Sequence, residues 1–225
     1  MGSNHNKKLP YAISYLQYLG TDKYSAQQIS REFFKLACSF NISNGEDQTY
    51  ITLSGLGENF DKALELFEHL LANAKPDPGA LNSMIEGELK SRADNKLNRQ
   101  NIFWNAMWNY SVYGKKNPFA DQLSENELRA LKAEDLVQWI HDLTSYPHKV
   151  FYYGSKSAED VKSSLSKYHK MPTAFKKYPD KIKYERQELK DNIVYFVNYD
   201  MVQAELRWTA KMETYDQKLA PSVAL

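Results

Sequence analysis

Hydrophobic positions along this chain fall into short groups, most of them at helical spacing. Pro10 suits a first helical turn, and Tyr11, Ile13, Tyr15, Leu16 and Leu19 then predict a short apolar helix ended by Gly20-Thr21-Asp22. Ser25 is placed to cap a second helix with Ile29, Phe33, Leu36 and Ala37 on one face. Phe40 to Ser43 and Tyr50 to Leu53 flank Asn44-Gly45, a strong hairpin signal. Helical spacing returns from Glu58 to Ala74 through Phe60, Leu64, Phe67 and Leu71. Pro76 and Pro78 separate that helix from a long polar one, about Gly79 to Arg99, and an aromatic helix follows from Ile102 to Val112. Ser124 with Glu127 forms a capping-box pattern, and Leu136, Trp139, Ile140 and Leu143 mark a further helix. Lys149 to Tyr153 reads as an extended run stopped by Gly154, and Ser157 caps a helix carrying Val161, Leu165 and Tyr168. Ile193 to Val197 and Ala204 to Ala210 predict an antiparallel strand pair, and Pro221 to Leu225 opens an apolar element that stops unfinished.

Helices, hairpin, helices, strand, helix and strand pair, in that order, predict an α+β fold with an antiparallel sheet packed against several helices. Four to six strands with no complete meander point to an incomplete sheet. The expected organisation is a tail over 1–9, a module over 10–168, a basic linker over 169–190 and a strand pair with the start of a following element over 191–225.

Composition narrows this little. Of 225 residues, 42% are apolar and 25% charged, an ordinary globular balance that needs no disulfide or metal staple. A single cysteine excludes an internal disulfide and a multi-cysteine zinc site. No apolar run approaches the ~20 residues of a membrane span and the N-terminus lacks a signal-peptide core, so the chain as given reads as soluble, cytoplasmic or periplasmic. Net charge is +1, which offers no general attraction to nucleic acid or membrane. It hides a partition: residues 1–145 carry net −3 and residues 146–225 net +4. Most of the excess lies between Lys167 and Lys190, which reads as a solvated linker before it reads as a nucleic-acid site.

No residue set stands out as catalytic. None of the five histidines (His5, His69, His141, His148, His169) has another His or Cys three or four positions away. His69, beside Glu65 and Glu68, fits a charged helix surface, while His141 and His148 fit satisfied polar roles better than a general base. Cys38 has apolar company and lies at the wrong end of its helix for thiol activation. Ser54-Gly55-Leu56-Gly57 lacks the lysine of a phosphate loop and reads as a strand-to-helix turn. The aromatic stripe Trp104, Trp108, Tyr110 and Tyr113 is expected to be core.

The order of elements says more. Tyr11 to Thr21, Tyr24-Ser25-Ala26, Phe34-Lys35-Leu36 and the hairpin, followed by Ser54-Gly55-Leu56 through Leu71, resemble the pitrilysin/insulinase family of zinc metallopeptidases. There a helix bearing His-x-x-Glu-His precedes Gly-Thr, a Ser-Ala helix start and a strand hairpin. Counting back from Gly20-Thr21, the first histidine of that motif falls on Tyr11, the glutamate on Ser14 and the second histidine on Tyr15. Glu88 is the best match to the third ligand, with Glu86 the alternative. Neutral tyrosine does not ligate zinc at pH 7, and serine cannot replace the general-base glutamate.

The resemblance therefore implies an inactive repeat of the α/β-roll peptidase type. It would hold no metal and have no catalytic residue, zinc being expected only in an active half. That active half, in the same or a partner chain, would be its partner and a peptide the shared substrate. The resemblance places the family's assisting arginine and tyrosine beyond residue 225. If the family's first strands are absent before Pro10, an exposed sheet edge could also support a homodimer. The alternatives are a structural or binding protein on the same fold, and an enzyme using His141 or His169 at an unrecognised site.

Overall fold

The computed structural model describes residues 1–188 and 191–210. Met1–Ile193 form one compact unit and Val194–Leu225 a second, smaller one. Ten regular elements build the first unit: α1 (Leu9–Tyr15), α2 (Ala26–Lys35), β1 (Cys38–Asn44), β2 (Thr49–Gly55), α3 (Phe60–Asn73), α4 (Pro78–Leu97), α5 (Trp108–Tyr113), α6 (Glu125–Arg129), α7 (Ala133–His141) and α8 (Ala158–Tyr168). This is an α+β arrangement in which one antiparallel hairpin packs on helices. No helix among the described residues is long and apolar enough to cross a membrane.

The core is assembled around α1, whose Ala12 and Tyr15, with Leu16 just beyond the helix, have no solvent exposure. Ile29 and Phe33 of α2, Phe67, Leu70 and Leu71 of α3, Leu81 and Ile85 of α4, and Leu136 and Ile140 of α7 close around it. Burying such side chains contributes roughly 1.5–3 kcal/mol each, which is what holds short helices that would not persist alone. Caps fix where they begin. Ser25 and Gln28 on α2, and Ser124 and Glu127 on α6, form reciprocal capping boxes, while Ser157 caps α8 and Asp77 caps α4 just before Pro78.

The hairpin is longer than the Asn-Gly signal implies. Asn44 pairs with Thr49 in the ladder, and residues 45–48 form the loop, closed by Gly45 N–H donating to Gln48 O at 2.9 Å. Asn44 is kept in the strand because its amide donates to Ser14 Oγ at 3.2 Å and to Pro10 O at 3.3 Å. Cys38, Phe40 and Ile42 alternate with exposed neighbours, so one face meets the helices, where Phe40 lies between Phe33 and Phe67 with ring centroids 5.3 and 5.4 Å away.

Three expectations are corrected. The aromatic stripe is not a buried core: Trp104 and Tyr110 are exposed, and Trp108 and Tyr113 are half-buried. Asn101–Met107, which carries Trp104, is a widened π-helical stretch with no buried residue in which Phe103 meets Trp104 edge to face at 5.3 Å. Residues 149–153 run without a strand partner, leaving Phe151 and Tyr153 exposed while Tyr152 turns in against Phe60. Residues 193–197 and 204–210 likewise form no strand, because a strand needs a neighbouring backbone and among the described residues β1 and β2 pair only with each other. The apolar element expected over 221–225 lies outside the described residues.

The basic segment after α8 is tied across the first unit. Lys176 pairs with Asp142 at 2.8 Å and Lys181 with Asp47, Ile182 N–H donates to Asn4 O, and Gln187 N–H donates to Val112 O. Tyr146 stacks between Trp139 and Tyr178 at 6.4 and 6.1 Å. Two lysines of this strap, Lys176 and Lys181, therefore face carboxylates of the acidic body.

Two predictions concern this architecture. Ala37, between α2 and β1, sits at φ 49°, a left-handed position costly for a residue with a Cβ. Ala37→Gly should therefore raise the urea-derived stability by about 0.5–1 kcal/mol after the added unfolded-state entropy. Gly55→Ala should lower it, since a Cβ there would meet Cys38 Sγ at 2.4 Å. Asp47, held below the ordinary carboxylate range by Lys181 and Asn4, and Asp121, held there by Lys7 and Tyr184, are also linked to folding. Their contribution is full above the ordinary value of 3.8 and is lost as pH falls through their lowered values. Acid unfolding followed by circular dichroism should consequently begin at higher pH in Asp121→Asn than in the parent.

Candidate functional site

An open groove of about 620 Å³ lies between α1, α4, the loop before α6 and the strap. Tyr11 and Ser14 line it from α1, Met84 and Glu88 from α4, Asp121 from the loop, and Tyr184 from the strap. Three of the motif positions, Tyr11, Ser14 and Glu88, thus share one cavity. Glu86 does not: two positions along the same helix it faces outward and pairs with Arg129.

At the inner end of the groove a guanidinium occupies the space between the two helices. Arg92 Nε donates to Glu88 Oε1 at 2.8 Å, one terminal nitrogen donates to Tyr11 Oη at 2.6 Å, and the other to Leu123 O at 2.6 Å. Helical spacing builds half of this, because Glu88 and Arg92 are one turn apart on α4. Burial, reinforced by the Glu88 charge, raises the Tyr11 hydroxyl above the ordinary tyrosine value, and Arg92 opposes the rise. Tyr11 stays neutral and serves as acceptor.

Tyr15 points elsewhere. Its hydroxyl donates to Asp77 O at 2.6 Å and accepts from Asp77 N–H at 2.8 Å, so it braces the residue that caps α4. Burial raises this hydroxyl as well. Ser14 accepts from Asn44 and links α1 to the hairpin. At the outer end of the groove Lys7 pairs with Asp121, which accepts from Tyr184 Oη at 3.0 Å. Burial and that bond push Tyr184 up to about 12.

Sequence reasoning missed Arg92, Asp77, Asn44 and the Lys7–Asp121–Tyr184 set. Only the Glu88–Arg92 spacing carried a local signal; the others meet across 30 to 114 residues of chain. Of the histidines, His69 bonds Thr21 Oγ1 at 3.0 Å and His141 bonds Ala74 O at 3.1 Å. His148 and His169 meet each other at 2.8 Å. No group of three or more His, Cys, Asp or Glu is disposed around a common point among the described residues.

No family model matches this sequence, and no curated protein does. Solved protease structures match in fold. The ferredoxin protease FusC, solved in complex with Arabidopsis ferredoxin, superposes with a TM-score of 0.62 at 16% identity, over 80% of this chain and 20% of that one. The periplasmic protease PqqL from Escherichia coli gives 0.61 at 11% identity, over 83% and 21%. The inactive domain of peptidase M16 from Pseudomonas fluorescens gives 0.51 at 18% identity, over 61% and 35%. The chain thus spans about a fifth of the length of FusC and PqqL, and it has the fold of a pitrilysin-type peptidase repeat.

If the two tyrosines act as braces, removing either brace should cost stability. Tyr15→Phe removes the acceptor of Asp77 N–H and one of the two donors to Asp77 O, which keeps Leu81 N–H, and Arg92→Met removes the cation bonded to Glu88 and Leu123 O. Each should lower the unfolding free energy by about 1–3 kcal/mol in urea titrations, whereas Tyr18→Phe, at a half-exposed ring, should change little.

Proposed function

We propose that this chain is the non-catalytic half of a pitrilysin-type zinc peptidase, contributing a wall of the substrate chamber and supporting an active half. The observation that carries this reading is the Arg92 guanidinium held between Tyr11 and Glu88. Zinc needs several imidazole, thiolate or carboxylate donors around one point. The donor set here does not fit it: one carboxylate already paired with a cation, a neutral tyrosine that accepts from that cation, a serine bonded to Asn44, and a second tyrosine turned to the backbone. Serine at position 14 stands where the motif has the glutamate that activates water, so on this reading the groove carries no hydrolytic step.

What the groove offers a peptide is shape and hydrogen bonding. Ser14, Gln17, Ser83 and Ser91 line it as uncharged polar groups, with Met84 and Pro118 as apolar contacts. A peptide in extended form could also add to a free edge of the β1–β2 hairpin through backbone bonds, and the same edge suits the partner half or a second copy. FusC was solved in complex with a ferredoxin; for this chain we retain only the class, a polypeptide.

Metal analysis of the purified chain should find no stoichiometric zinc, and a full equivalent would overturn the inactive-site reading. Combined with a polypeptide bearing His-x-x-Glu-His encoded beside it, the chain should associate in sedimentation and raise cleavage of a fluorogenic peptide. If the two neither associate nor change the cleavage rate, the chamber-half reading fails and a stand-alone binding role on the same fold replaces it.

A further inference from the structure

Away from the groove, three side chains from three elements form a hydrogen-bonded chain. Glu68 on α3 meets His169 Nδ1 at 2.7 Å, His169 Nε2 meets His148 Nε2 at 2.8 Å, and His148 Nδ1 meets Tyr146 O at 2.7 Å. His169 ends α8 and begins the strap; His148 lies in the loop that the strap crosses. The Glu68 and His169 side chains are only 14% and 12% exposed, so water does little to separate them. Phe175 of the strap lies edge-on to His148 at 6.0 Å.

The proton inventory of this chain is fixed by its geometry. A carbonyl only accepts, so His148 Nδ1 must carry a proton toward Tyr146 O. An ionised Glu68 only accepts, so His169 Nδ1 must carry one too. Two neutral rings so arranged would aim two lone pairs at each other across 2.8 Å, which is no bond at all. One additional proton between the Nε2 atoms makes the contact a charge-assisted hydrogen bond. Moving a proton from His169 Nδ1 onto Glu68 leaves the total unchanged. The assembled chain therefore holds one proton more than two neutral imidazoles and a carboxylate.

We propose that Glu68, His169 and His148 form a proton-operated clasp that holds the strap and the 146–157 loop on α3, closed when the shared proton is bound and released when it is lost. Charged or titratable groups on the elements that carry it include Glu65 on α3, Lys167 and Tyr168 at the end of α8, Lys170 after His169, Tyr146 and Lys149 beside His148, Tyr178, and the Lys176–Asp142 pair. Lys167 donates to Tyr168 Oη and Lys170 to Lys167 O, leaving Glu68 as the carboxylate bonded to the imidazole pair. The contacts next along the strap are the ones the clasp would secure: Lys176 N–H to Ser145 O at 2.8 Å and the hydroxyl of Tyr178 to Pro147 O. This inference is independent of the peptidase reading and can fail or stand without it.

The test is hydrogen exchange of the full chain across about pH 5 to 8, where imidazoles titrate, corrected for the intrinsic pH dependence of exchange. Protection of amides in 170–182 should fall roughly tenfold or more from the acid to the alkaline end, the worth of a hydrogen bond to a charged group. His148→Phe and His169→Phe should flatten that dependence. Should the variants not fold, imidazole nitrogen shifts of the parent chain decide: the pair should take up one shared proton before a second. Unchanged protection across the range, or two rings titrating independently, would overturn the proposal.

Discussion

The buried face of α1 is the constraint on which the rest of this structure depends. Ala12 and Tyr15, with Leu16 just beyond the helix, are sealed from solvent, so the Tyr15 hydroxyl cannot be left to water. The polar groups of α1 find protein partners, and each partner then fixes another element. Tyr15 binds both backbone groups of Asp77 and so sets where α4 begins. Tyr11 receives Arg92 and holds the second half of α4 against it. Ser14 receives Asn44 and holds the hairpin. Three residues that occupy peptidase-motif positions by resemblance are, in this chain, the joints between α1 and its neighbours.

The charge partition follows a similar economy. A body of net −3 and a basic tail look like separable parts when read along the chain. In space, part of the basic segment lies over part of the acidic body: Lys176 on Asp142, Lys181 on Asp47, with Tyr184 on Asp121 beside Lys7. Exposed pairs of this kind contribute little singly. Together with the Trp139–Tyr146–Tyr178 stack and the backbone bonds at Lys176, Ile182 and Gln187 they define one path for the strap. One wall of the groove, Tyr184, is delivered by that path and by nothing in its local sequence.

What the sequence made legible was local. Ser25, Ser124 and Ser157 announced their helices because a cap and its helix are adjacent in the chain. Apolar spacing found α3 and α7 for the same reason. Failures came where the deciding partner is remote or missing. Asn-Gly predicted a tight turn, but Ser14, 30 residues away, draws Asn44 into the strand. Val150 to Tyr153 has strand-forming residues and no adjacent backbone to pair with among the described ones. The aromatic run has helical spacing, yet Trp104 lies in the π-helical stretch Asn101–Met107 and Trp108, Tyr110 and Tyr113 lie on α5, so the four do not continue one regular face. For the groove, the resemblance named Tyr11, Ser14 and Glu88, which line one cavity, and Tyr15, which does not; it could not foresee the cation between Tyr11 and Glu88.

That cation changes how the groove is understood. An i, i+4 pair on α1 would suit two imidazoles converging on a metal, with α4 supplying the third donor. With tyrosines at those positions the longer side chains overshoot a shared point: one reaches α4 at its start, the other near its end. The space left between the helices is anionic on the α4 side because Glu88 is there. An arginine one turn along fills it with the charge a metal would have brought, and spends its donors on Glu88, Tyr11 and Leu123 O. Unlike a metal, a guanidinium so engaged has no open coordination position and cannot polarise water. In this chain Tyr11 and Tyr15, with Arg92 and Asp77, form structural joints between α1 and α4.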